Sequence, residues 1–268
     1  MIIDADVHIS PELTGGNSIF VEELISRMDY AGVDKALTWL QPPYKRTELA
    51  KSNRYVYDAA KSYPDRILGF GWADPNLGVP QALEMVKICV EEYNLHGVKL
   101  NGAQNEFYID SPGALRVAEE VAKTGRMLAY HIGGDSPENT HPFRLAKIAK
   151  LFPETHIFMV HMGGAHFHDF GNAAIEFAAE CPNITIIGST IRSIPLLRAV
   201  KALGAHRVCF GSDTPFELMH VEVARYKALI ADQVSEEEYE LIMGGNIARL
   251  FKLDKEQKVV QNKPASFS

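Results

Sequence analysis

Residues 1–10 read MIIDADVHIS, and this stretch decides the fold. Apolar residues lead in as they would into a buried strand, yet Asp4, Asp6 and His8 follow at intervals of two. In an extended strand, residues two apart point to the same side. Asp6 and His8 therefore share a face. A buried face that carries an acid and an imidazole needs partners that satisfy both. Asp4, on the same spacing, is expected on that face one layer deeper, accepting hydrogen bonds that steady its neighbours.

Comparable strands recur along the chain: KALTWL at 35–40, ILGFGWA at 67–73, GVKL at 97–100, MLAYH at 127–131, HIFMVH at 156–161, ITIIGS at 184–189 and RVCFGS at 207–212. With the first they make eight. Between them lie stretches with helical spacing of apolar residues, among them FVEELISRMDYAG at 20–32, SPGALRVAEEVAKTG at 111–125 and SIPLLRAVKALG at 193–204. Several end in Gly or Pro, as helix stops should. Strands alternating with helices imply parallel strands joined by right-handed crossovers. Eight such units predict an α/β protein of the closed (β/α)8, or TIM barrel, type. An open doubly wound sheet is the structural alternative, but no G-x-G-x-x-G follows the first strand. The chain is expected to be one domain over residues 1–253, closed by a helix at 235–253, with a polar tail at 254–268.

Composition narrows the function. The net charge is −7, and there is no run of Lys or Arg, so neither nucleic acid nor an anionic membrane surface is an expected partner. No apolar run reaches the roughly 18 residues that span a bilayer. Acids stand where a signal peptide would be basic. A cytoplasmic location is expected. Cys89, Cys181 and Cys209 are widely spaced among apolar neighbours, which predicts buried free thiols.

In a barrel of this kind chemistry gathers at the C-terminal ends of the strands. Five strands end in ligand-type residues: Asp6 and His8 on the first, Lys99 on the fourth, His131 on the fifth, His161 on the sixth and Asp213 after the eighth. Three imidazoles and two carboxylates converging on one point suit a divalent metal such as zinc with one position open to water. Gly133, Gly134, Gly163 and Gly164 let the adjoining loops turn tightly. Alone, each of these residues reads as an ordinary polar end to a strand or a helix cap; their regular recurrence gives them weight. Trp39, Tyr44, Lys45 or Arg46 in WLQPPYKR, with Arg192, Trp72, Asn101 and Tyr108, are candidates to hold an organic acid. His166 and His168 lie near the same mouth.

The first-strand D-x-H, YHIGG at 130–134, VHMGG at 160–164, GSDTP at 211–215 and IMGGNIARLF at 242–251 together resemble the amidohydrolase superfamily. The likeness is to the amidohydrolase-related branch that includes aminocarboxymuconate-semialdehyde decarboxylase, and it runs from residue 1 to about 253. It implies a mononuclear divalent metal held by Asp6, His8, His131 and Asp213, with His161 positioning or deprotonating its water. Zinc is the metal expected first; the branch commonly has H-x-H on this strand, and Asp6 in place of the first His adds negative charge that leaves manganese or magnesium as the alternatives. Lys99 is expected uncarboxylated, touching substrate or a neighbouring carboxylate. The first expectation is a metal-dependent hydrolase of a small organic acid, lactone or related carbonyl compound, with Asp213 or His161 moving the proton. The alternatives are a non-oxidative decarboxylase of a carboxylated aromatic or muconate-like acid, and a catalytically degenerate binding protein. Similar proteins are commonly homodimers or homotetramers.

Overall fold

The structure is a computed structural model that describes residues 1–13, 17–41, 46–164 and 170–253. Its strands are β1 Ile3–Ile9, β2 Lys35–Leu40, β3 Ile67–Gly69, β4 Gly71–Trp72, β5 Gly97–Leu100, β6 Met127–His131, β7 Ile157–Val160, β8 Ile184–Ile187 and β9 Val208–Cys209. Every strand pairing is parallel. β3 and β4 are halves of one barrel strand parted at Phe70, whose N–H still donates to the Thr38 carbonyl at 2.9 Å. The last edge closes on the first: Ala5 N–H donates to Phe210 O at 3.0 Å and His8 N–H to Thr214 O at 2.7 Å. The barrel read from the sequence is therefore closed, and helices cover its outside.

Each helix buries one stripe. The helix Pro112–Lys123 hides Ala114, Val117, Ala118 and Val121, the spacing of a single helical face. The helix Val21–Ala31 stops at Gly32, which takes φ 70°, a left-handed conformation that suits glycine. All three cysteines are buried and free. Among the described residues no helix is long and apolar enough to cross a membrane.

The barrel interior is filled from below by Ile3, Ala5, Leu37, Trp39, Leu68, Phe70, Ala129, Phe158 and Ile187, with Ile247 and Ala248 of the C-terminal segment plugging the floor. That segment departs from the single helix expected at 235–253. It runs as helix Glu236–Glu240, a wide turn over Leu241–Gly245 and helix Asn246–Phe251. The break serves a close approach: a Cβ on Gly244 would stand 2.7 Å from Met1 O and 2.8 Å from Ile3 N. The tail at 254–268 lies outside the described residues.

The opening stretch is not a regular strand. Ile3 and Asp4 pair with Lys35 and Ala36, but the next partners are Val7 with Thr38 and His8 with Trp39. Three steps along β1 thus oppose two along β2, a β-bulge that reverses which residues face inward. Below it Ile3 and Ala5 join the interior; above it Val7 and Ile9 join the outer layer. Asp6 and His8 turn inward. Asp4 does not share their face as expected; it stands opposite, where its Oδ1 accepts the Ser212 N–H at 2.9 Å and the Asp6 N–H at 3.1 Å. Burial pushes its carboxyl up to about 7 despite the Ser212 hydrogen bonds.

Candidate active site

The bulge delivers Asp6 to the centre of the mouth, where it is fully buried. Gly211 makes the approach possible, since a Cβ there would lie 3.1 Å from Asp6 Cβ and 2.6 Å from Ile187 Cγ2. Around Asp6, His8 Nε2 stands 3.4 Å from Oδ1, Lys99 Nζ 3.6 Å from Oδ1 and His161 Nδ1 3.4 Å from Oδ2. Burial alone would raise the Asp6 pKa, but the Lys99 ammonium and the His161 and His8 rings outweigh it and hold the carboxyl far below the usual range. Oδ1 is buried without a hydrogen-bond donor.

His8 closes one side. Its Nδ1–H donates to Leu40 O at 2.8 Å, which leaves the Nε2 lone pair aimed at the centre, 3.4 Å from Asp213 Oδ1. The Trp39 indole N–H donates to that same Nε2 at 3.1 Å. The flanking carboxylates pull the His8 pKa up against burial, whereas the indole donor requires an unprotonated Nε2. The hydrogen-bonded geometry makes the neutral ring the resident form.

His161 heads a short turn after β7, and it, Met162 and Asp213 have positive φ of 66°, 52° and 59°. Non-glycine residues adopt this region at a cost, and such strain collects at functional sites. Ser189, at the end of β8, gives its hydroxyl proton to Asp6 Oδ2 at 2.5 Å. Its oxygen is then free to accept the His161 Nδ1–H at 2.9 Å, with Thr190 Oγ1 at 3.2 Å. This fixes the tautomer and leaves the His161 Nε2 lone pair open. Burial lowers the His161 pKa to about 4, the attraction of Asp6 and Asp213 offsetting only part of it, so the ring is neutral near pH 7.

Asp6, His161 and Asp213 offer ligand atoms within 4.8 Å of one another, the one such group among the described residues. The orphaned Asp6 oxygen, two carboxylates and a neutral imidazole form a donor set that fits a divalent cation. His131 stands apart: its ring meets His161 edge-on at 4.6 Å, but its Nε2 is bonded to Asp135 Oδ1 at 2.9 Å and Oδ2 at 3.0 Å. Burial would raise the Asp135 pKa; His131 more than reverses that.

The residues expected around a substrate are scattered. Trp39 is fully buried on β2, supporting His8 from within the barrel rather than walling the mouth. Arg192 is exposed at the head of helix Ser193–Leu203. Lys99 is fully buried. Arg46 pairs with the buried Asp74, Trp72 donates to Asn105 Oδ1 at 3.0 Å and Asn101 caps a short helix. Tyr108 is exposed, with the Arg144 guanidinium 4.4 Å from its ring centroid. Tyr44, Lys45, His166 and His168 lie outside the described residues. Sequence reasoning passed over Ser189, Asp135 and Phe216. Ser189 carried a signal, a polar residue at the end of an apolar strand, but a hydroxyl is not a typical metal ligand. Phe216 is 36% exposed and meets the His8 ring edge-on at 5.6 Å.

The amidohydrolase family profile matches residues 3–253. No curated protein matches the chain in sequence. Among solved structures, 2,6-dihydroxybenzoate decarboxylase from Rhizobium is 20% identical, with 94% of this chain and 99% of that chain covered at a TM-score of 0.75. The 5-carboxyvanillate decarboxylase from Sphingomonas paucimobilis is 19% identical, covering 94% and 98% at a TM-score of 0.73. A dihydroxybenzoic acid decarboxylase from Polaromonas sp. JS666, with bound manganese and the inhibitor 2-nitroresorcinol, is 18% identical, covering 94% and 97% at 0.71. These likenesses establish a shared TM-barrel fold.

Proposed function

Since the chain belongs to the amidohydrolase family, we propose that it is a metal-dependent decarboxylase of a carboxylated aromatic acid. This is the alternative raised by the sequence, and the neighbours favour it over the hydrolase expected first. The observation that carries it is the burial of Asp6, His8, Lys99, His161 and Asp213 around one point. A site closed to water suits loss of carbon dioxide, because the carboxylate sheds its hydration and the proton that replaces it comes from a held acid.

Asp6, His161 and Asp213 would hold the metal, with His8 Nε2 beside them once it gives up the Trp39 indole. His131, first expected as a ligand, stays with Asp135. Two carboxylates favour manganese over zinc, and manganese is the metal in the Polaromonas enzyme. When bound, the metal supplies a positive charge that draws in the substrate carboxylate and withdraws electrons from the ring. Asp213 takes the proton of the substrate hydroxyl and delivers it to the carbon that loses carbon dioxide; the electron pair of the breaking C–C bond forms the new C–H bond, and the product leaves as a phenolate that takes its proton from solvent. Phe216 offers an aromatic edge against which a substrate ring can lie. Release of carbon dioxide from a panel of hydroxybenzoic acids by manganese-loaded protein tests this reading; lactone opening without such release would return the assignment to hydrolase.

A further inference from the structure

Lys99 enters the site from below. On β5 it pairs with Ala129, two residues before His131 on β6, so its backbone lies a layer beneath the strand ends and its side chain rises under Asp6. Its Nζ is buried with no hydrogen-bond partner, as is Asp6 Oδ1, 3.6 Å away. The Trp39 ring centroid is 3.7 Å from the same Nζ and the Trp72 centroid 5.7 Å. Aromatic faces attract a cation and repel an anion. A carboxylated lysine here would turn a negative group toward both Asp6 and the face of Trp39.

We propose that Lys99 serves as the internal cation of the site: it balances Asp6, keeps the centre assembled without a metal, and weakens the binding of the divalent ion it adjoins. The charge that Asp6 adds to the first strand is thereby cancelled from below. A metal entering the site competes with the ammonium for Asp6 Oδ1. Lys99 is thus a positioning residue, and it contributes nothing to substrate contact.

The affinity arm of the test rests on the metal reading above; the stability arm does not. Full-length protein is stripped of metal, and its melting temperature and Mn²⁺ affinity are measured for wild type, Lys99→Met, Asp6→Asn and the double variant. Lys99→Met should melt on the order of 10 °C lower when metal-free, because a buried charge loses its partner. It should also bind Mn²⁺ at least about tenfold more tightly and gain more stability from Mn²⁺ than wild type does. The double variant, with neither charge, should recover most of the lost stability. Unchanged metal-free melting of Lys99→Met, or unchanged or weaker Mn²⁺ binding, overturns the proposal. Should Lys99→Met fail to fold, a folded double variant upholds it and an unfolded one overturns it. Wild-type protein that takes up no Mn²⁺ removes the metal from the proposed function, while metal-free melting still decides the role of Lys99.

Discussion

The two ends of the barrel bury similar side chains to opposite purpose. At the floor, His96 meets Phe251 edge-on at 4.9 Å and His156 meets Phe158 at 5.1 Å. Among the described residues neither ring has a carboxylate paired with it, and burial pushes both pKa values down to about 4, with Arg126 adding to the effect at His96 and Arg249 at His156. At the mouth, His8 and His161 lie deeper than these part-buried rings and face Asp6 and Asp213 within a bonded network. The floor is polar atoms tolerated by packing; the mouth is packing arranged to hold polar atoms. One bulge separates the two regimes, with Ile3 and Ala5 below it and Asp6 and His8 above.

If that division is real, substitutions should split cleanly into losses of chemistry and losses of stability. Asp213→Asn should lower turnover by about a hundredfold to ten-thousandfold, the range for an acid/base group, with a melting temperature close to wild type; steady-state rates and a thermal melt check both. Ile247→Ala, at the floor, should cost about 3 kcal/mol and roughly 10 °C of melting temperature. Its turnover at 25 °C should stay at the wild-type value. A large rate loss there would erase the distinction between floor and mouth.

Ser189→Ala sharpens the mouth itself. It removes the hydroxyl that joins Asp6 to His161, and turnover should fall about tenfold, the scale for a residue that orients another. The ¹⁵N shifts of His161 should report a mixed tautomer in place of Nδ1–H alone. The smallest effect concerns acid. His96 and His156 titrate near 4 when folded against 6.5 when free, so the unfolded chain takes up their protons first. Stability from these two residues is complete above about 6.5 and declines as pH falls toward 4. Replacing both with Gln should flatten that part of the melting-temperature profile and leave the neutral-pH melt nearly unchanged.

Much of this was legible in the sequence because it obeys period. The eight strands fall where apolar runs were read, and the helices where spacing and glycine stops placed them. Asp6, His8, His161 and Asp213 declared themselves as polar residues at strand ends. What stayed hidden depends on geometry without a period. The bulge that sends Asp4 to the other face is one extra residue in β1, and MIIDADVHIS has no glycine to mark it. The Asp135 partner of His131 and the indole bond from Trp39 to His8 arise from tertiary approach. The break at Gly244 follows from contact with Met1 and Ile3, residues at the other end of the chain.

The central claim is a metal-dependent loss of carbon dioxide at a site built on Asp6 and Asp213. It is tested most directly by following carbon dioxide from hydroxybenzoic acids with protein stripped by chelator, then reloaded with Mn²⁺, for wild type and Asp213→Asn. Release should vanish on stripping, return with Mn²⁺ and be absent in the variant. Release that survives both chelation and the loss of Asp213, or a reloaded wild type that opens lactones and liberates no carbon dioxide, would contradict it.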